Sequence, residues 1–162
     1  MEPKSPMLPS KTRDQIASAS SGNLLLVYEA IFNSVKEISS HLRNHQPHQL
    51  DTVNDFGEVR LDMDVQTDSL IYDNLKKCKQ VTMAMSEERP YPTAMSKQGS
   101  YIVTFDPIDG SNIIESNYTV GSIFGIWPNG DINGMSGRDM VGAALAVYGS
   151  RTTMIIYNSN NN

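Results

Sequence analysis

The sequence predicts an α+β domain. Two long segments place apolar residues at steps of three and four, several short β-branched or aromatic runs follow them, and Gly, Pro and Asn clusters separate the runs. Hydrophobic residues make up 39% and charged residues 19% of the 162 residues, a globular rather than a disordered composition. That length suits one domain or half of a larger enzyme. Asp and Glu number 18 against 13 Lys and Arg, a formal net charge of -5. An acidic chain whose densest basic stretch is Lys76-Lys77-Cys78-Lys79 argues against nucleic acid or an anionic membrane as partner. A single cysteine, Cys78, rules out an internal disulfide framework. No stretch has the apolar length of a bilayer span.

Residues 1–22 read as a flexible arm, because Pro3, Pro6 and Pro9 break any early helix. The arm has no apolar core of a secretory signal. Cytoplasm is the default compartment, with a plastid left open. From Asn23 to Arg43, the residues Leu24, Val27, Tyr28, Ile31, Val35, Ile38 and Leu42 trace one face of a long amphipathic helix. Residues 51–63 are polar, with Gly57 as a break. A second helix is expected over Asp64–Lys79, where Val65, Ile71, Leu75 and Cys78 keep helical spacing. Val81–Met85 has strand character and stops at Ser86-Glu87-Glu88. Arg89–Gly99 reads as a loop. Tyr101–Phe105 is a buried strand ending at Asp106-Pro107, and Val120–Trp127 is another, closed by a Pro128-Asn129-Gly130 hairpin turn. Val141–Val147 suggests a small-residue helix by its length and alanine content. Thr152–Tyr157 reads as a strand, and residues 158–162 as a polar tail.

The acids are concentrated. Residues 51–115 hold 12 of the 18 carboxylates. Glu87 and Glu88 follow one strand, and Asp106 and Asp109 follow another. Carboxylates gathered at strand ends repel and raise one another's pKa, so they call for a cation. The donors on offer are oxygens, which suit Mg2+ or Mn2+ better than Zn2+. In Asp106-Pro107-Ile108-Asp109-Gly110-Ser111, Pro107 fixes a turn and Asp109 reaches back toward the same ion. Gly110 lets backbone approach a ligand closely. The N–H groups after Asp109 and the Ser111 hydroxyl can hold a phosphate beside the metal.

Ser86-Glu87-Glu88, Phe105-Asp106-Pro107-Ile108-Asp109-Gly110-Ser111 and Val120-Gly121-Ser122-Ile123-Phe124-Gly125 together resemble the fructose-1,6-bisphosphatase class of sugar phosphatases. The surrounding Asn117–Gly121, Gly125–Pro128, Gly137-Arg138-Asp139 and Val147–Thr153 are most similar to its sedoheptulose-1,7-bisphosphatase members. The resemblance runs from about Asn54 to Tyr157. It implies the N-terminal half of a layered αβαβα fold, helices packed on a mostly antiparallel sheet, occupying residues 23–157. It also implies roles. Glu87, Asp106, Asp109 and the Ile108 carbonyl would hold two or three Mg2+ ions, with Mn2+ as a substitute. Glu58, in Phe56-Gly57-Glu58, would add a further contact, although members usually carry Asp there. Gly110 and Ser111 would hold the 1-phosphate, with Asn112 standing where a second Ser is usual. Asp64 and Glu88 would act on the attacking water as coupled carboxylates.

Members of this class are about twice as long, and their other half supplies the distal-phosphate pocket and one more metal-ligand Glu. The expected reaction is Mg2+-dependent hydrolysis of the 1-phosphate of a sugar bisphosphate, sedoheptulose-1,7-bisphosphate or fructose-1,6-bisphosphate. The expected partners are that substrate and, for a full-length chain, further copies of itself. Two other readings remain: a shortened, non-catalytic product that binds metal or pairs with full-length subunits, and an inositol-phosphate phosphatase sharing the metal acids. The Thr119–Trp127 and Arg151–Thr153 context argues against the latter. With half the layers, apolar surface should lie exposed.

Overall fold

The computed structural model describes residues 8–19, 22–46, 48–53 and 59–159. Three helices, α1 (Ser10–Ala19), α2 (Gly22–Asn44) and α3 (Asp62–Lys77), accompany eight strands. A small antiparallel pair, β1 (Gln49–Val53) and β2 (Val59–Leu61), precedes α3. The main sheet contains β3 (Val81–Ser86), β4 (Thr93–Ala94), β5 (Tyr101–Asp109), β6 (Val120–Pro128), β7 (Gly142–Tyr148) and β8 (Thr152–Asn158). Its order is β4-β3-β5-β6-β7-β8. β3 and β5 run parallel, and every other neighbouring pair is antiparallel. The α+β class and the mostly antiparallel sheet are as expected.

One face of the sheet carries the core. Tyr101, Val103 and Phe105 of β5, Val120, Phe124 and Ile126 of β6, and Ala144, Ala146 and Tyr148 of β7 join Val27, Tyr28, Ile31 and Ile38 of α2 and Ile71, Tyr72 and Leu75 of α3 in one buried cluster. Alternation puts every second strand residue on this face. Phe105 sits at its centre, its ring 5.3 Å from that of Tyr72 and 6.1 Å from that of Phe124. On the opposite face, Ile123, Leu145, Ile155 and Tyr157 are exposed. The register sets Ile123 beside Leu145 and Leu145 beside Ile155, so three of them form one row across three strands. Apolar surface is therefore exposed, as the resemblance implied.

Several elements differ from the sequence reading. The segment read as an arm contains α1, which starts just after Pro9: the Arg13 N–H bonds the Pro9 carbonyl at 2.9 Å. Proline at the first turn of a helix sacrifices no internal bond. Arg13 Nε also lies 3.1 Å from Glu29 Oε1 of α2. The polar stretch 51–63 holds the end of β1, all of β2 and the start of α3. Residues 129–141 form a long connection with a 3-10 turn at Gly137–Asp139, not a tight hairpin. Asn158, read as tail, is the buried end of β8.

The expected small-residue helix at 141–147 is strand β7. Its burial alternates strictly, which two flanking strands enforce, while alanine content signals only a weak helical preference. The small residues serve packing. A Cβ on Gly142 would stand 2.1 Å from Tyr28 Oη, and the Tyr28 hydroxyl donates to the Tyr157 carbonyl across the end of β7. Gly142 thus admits the contact that ties α2 to β8. Gly142→Ala should destabilise the chain by about 1–3 kcal/mol through overpacking. In denaturant melts, Tyr28→Phe should recover part of that loss, since it removes the clashing oxygen. Equal losses with and without Tyr28→Phe would locate the strain elsewhere.

Candidate metal and phosphate site

The acidic site begins with strand direction. Because β3 and β5 are parallel, both end at the same edge, and Ser86 lies opposite Phe105. The next residues, Glu87 and Asp106, therefore meet. The Glu87 N–H continues the ladder to the Phe105 carbonyl at 3.1 Å. Ser86-Glu87-Glu88-Arg89 then closes as a turn: the Arg89 N–H reaches the Ser86 carbonyl at 3.3 Å, and the Glu88 N–H reaches Ser86 Oγ at 3.2 Å. Glu87 and Glu88 occupy its two central positions. An open hollow of about 510 Å³, lined by Glu87, Asp106, Met85, Thr104, Ile123 and Gly125 among others, lies on the sheet face opposite the helices.

The Asp106-to-Asp109 stretch is not a turn closing a strand, as the sequence suggested. It continues β5 as a bulge. Asp106 pairs with Ile123 and Asp109 with Gly121, so three steps on β5 face two on β6. A proline fits such a break because it offers no ladder N–H. The Pro107 carbonyl accepts a bond of 2.6 Å from Ser122 Oγ, which also shares a 2.9 Å bond with the Tyr148 hydroxyl. Ser122 is fully buried, and burial pushes the Tyr148 hydroxyl well above its ordinary pKa. Ile108 and Asp109, the last residues of β5, lead directly into Gly110. There φ is +86°, a left-handed conformation that favours glycine. A 3-10 turn, Ser111–Ser116, follows.

Electrostatics single out Asp106. Partial burial, the charge of Glu87, a hydrogen bond shared with Glu87 and the charge of Asp109 raise its carboxyl to about 7. Two carboxylates in contact hold a proton between them when no cation is present. A hard divalent ion is the fitting replacement, and the oxygen-only donor set matches it. Among the described residues, no three His, Cys, Asp or Glu side chains form a metal-holding group; the Glu87–Asp106 pair, with Asp109 in electrostatic reach, is what the fold assembles. Glu58, Phe56 and Gly57 lie outside the described residues. Gly110 and Ser111 are half-buried, and Asn112 is exposed.

Asp64 lies in the first turn of α3, 4% exposed. Its Oδ2 accepts the Leu61 N–H at 3.3 Å, so it also caps the helix it sits on. Glu88 is half-buried on the turn after β3, a strand that packs on α3. The sequence reading missed Ser122 and Tyr148. Their signal is long-range: partners 15 and 26 residues apart are brought together by the β5–β6–β7 register alone.

Residues 11–161 match the family model of the fructose-1,6-bisphosphatase N-terminal domain, and the chain belongs to that sugar-bisphosphatase family. It is 35% identical to chloroplastic sedoheptulose-1,7-bisphosphatase of Triticum aestivum over 136 residues, covering 83% of this chain and 35% of that protein. It is 32% identical over 130 residues to class 1 fructose-1,6-bisphosphatase of Campylobacter curvus, covering 80% of this chain and 42% of that one. A crystal structure of Leishmania major fructose-1,6-bisphosphatase superposes with a TM-score of 0.82 at 28% identity, over 96% of this chain and 53% of that one. The chain thus spans about a third to a half of these relatives. No helix among the described residues is long and apolar enough to cross a membrane.

The folded state binds the Asp106 proton more tightly than the unfolded chain, whose carboxyl titrates near its ordinary value of 3.8. This residue therefore subtracts stability as pH rises from about 4 toward 7, and the deficit is complete above that. Asp106→Asn, measured in urea with a chelator present, should stabilise the chain at pH 8 by about 1–2 kcal/mol, discounted for partial exposure. At pH 4 it should change little. No gain at pH 8 would mean that the pair carries no strain. Separately, Ser122→Ala should cost about 1–3 kcal/mol by stranding the Pro107 carbonyl, with the amide shifts that change confined mainly to residues 106–111.

Proposed function

We propose that this chain carries the cation and 1-phosphate portion of a Mg2+-dependent sugar-bisphosphatase that hydrolyses the 1-phosphate of sedoheptulose-1,7-bisphosphate or fructose-1,6-bisphosphate. The observation behind this reading is the hydrogen-bonded Glu87–Asp106 pair, with Asp109 nearby, directly preceding the left-handed Gly110. In this reading Glu87, Asp106, Asp109 and the Ile108 carbonyl hold Mg2+, with Mn2+ as an alternative, and Glu58 is a further ligand. When bound, such an ion polarises the phosphoryl group and lowers the pKa of a coordinated water. Gly110, Ser111 and Asn112 present backbone and side-chain donors to the phosphate oxygens. Glu88 takes the proton of the attacking water, with Asp64 orienting it. Phosphoryl transfer asks mainly for such positioning and charge compensation. The 35% identity to the wheat sedoheptulose-1,7-bisphosphatase supports sedoheptulose-1,7-bisphosphate as the first substrate to test, and the motifs around Trp127 and Arg151 support the same order.

The test is phosphate release from each bisphosphate, with and without Mg2+, by the chain and by Glu88→Gln. Release should require Mg2+, and the variant should be slower by about two orders of magnitude or more, the scale of a lost general base. Equal rates would remove Glu88 from the mechanism.

A further inference from the structure

Arg89 stands one residue beyond the paired glutamates, and the proposed chemistry makes no use of it. Its side chain turns onto α3. Nε and Nη2 both lie 2.6 Å from Asp68 Oδ2, and the guanidinium carbon lies 3.8 Å from the centroid of the Tyr72 ring. Asp68 and Tyr72 are 3% and 1% exposed. Asp64, Asp68 and Tyr72 recur at every fourth residue, so one helix face presents the expected water-orienting acid and both anchors. At its backbone end, the Arg89 N–H closes the turn that has Glu87 and Glu88 at its centre.

The arrangement is specific to arginine. The guanidinium directs two donors at one carboxylate oxygen while its flat face covers a ring, and lysine can reproduce the charge but not that combination. Asp68 Oδ1 is buried without a hydrogen-bond partner, so the pair is not optimised for stability alone. What the ion pair supplies is a defined direction: it fixes where the turn sits relative to α3.

We propose that Arg89, held by Asp68 and the Tyr72 ring, is a positioning residue that ties the Glu87–Glu88 turn to α3 and keeps the acids of both elements at a fixed separation for a divalent cation. This rests on the metal reading above. The two are separable, because the anchoring is measurable without metal.

The experiment uses the 162-residue chain, Arg89→Lys, Asp68→Asn and the double variant. Mg2+ is titrated calorimetrically, and amide hydrogen exchange is followed in its absence. Each single variant should weaken Mg2+ binding about ten- to a hundredfold, the usual effect of losing a group that orients metal ligands. The double variant should be little worse than either single one, because both remove one link. Protection of the Glu87 and Arg89 amides should fall at least about tenfold, while β7 and β8 keep theirs. Asp73→Asn, which removes the exposed Lys76–Asp73 pair at 3.9 Å, should leave both readouts unchanged. Undiminished Mg2+ affinity in Arg89→Lys overturns the proposal. A parent chain that binds no Mg2+ overturns the metal reading instead. Exchange then decides the role of Arg89: lost protection at the turn upholds the anchoring, and full protection overturns it.

Discussion

The parallel pairing of β3 with β5 is the constraint on which the rest depends. Antiparallel neighbours end at opposite edges, so acids following each strand would be kept apart. Parallel neighbours end together, and the Ser86–Phe105 register brings Glu87 against Asp106. Partial burial together with this local conflict of charge raises the Asp106 carboxyl to about 7. Concentrated negative potential at one sheet edge is what a cation site requires, and it is unfavourable until an ion arrives.

Neutral and cationic groups around the site hold it in shape. Ser122 and Tyr148 fasten the bulge from below through the Pro107 carbonyl. Gly110 turns the chain where a side chain would be strained. Arg89 fastens the opposite turn to Asp68. Three separate contacts, from β6 and β7, from the backbone itself and from α3, thus fix the segments that carry the acids. Neither the Ser122–Tyr148 pair nor Arg89 needs to touch a ligand.

Legibility in the sequence follows the range of the interactions. Helices α2 and α3 were readable because their apolar spacing is a local property, and strands β3, β6 and β8 because β-branched residues and turn signals bound them. The acids were readable because a motif places them at strand ends. Gly142–Tyr148 was misread, since Ala143, Ala144 and Ala146 suit a helix locally while the strands on either side dictate alternation. The continuation of β5 through Pro107 was also hidden. Proline normally stops a ladder, and only the two-against-three register with β6 shows the bulge. The pairing of Arg89 with Asp68 had no local signal, because 21 residues separate them.

The two faces of the sheet bear on the site differently. The helix-covered face supplies stability through Phe105, Phe124 and their neighbours. The other face holds the hollow beside Asp106, and Ile123, a wall of that hollow, begins the exposed row that continues through Leu145 to Ile155. Apolar residues next to a carboxylate pair lower the local dielectric. Water on this open face limits that effect, so the raised Asp106 carboxyl reflects a half-solvated site. Burial raises the cost of two charges side by side, while the open side of the hollow leaves both carboxylates within reach of water or of a cation that could offset it.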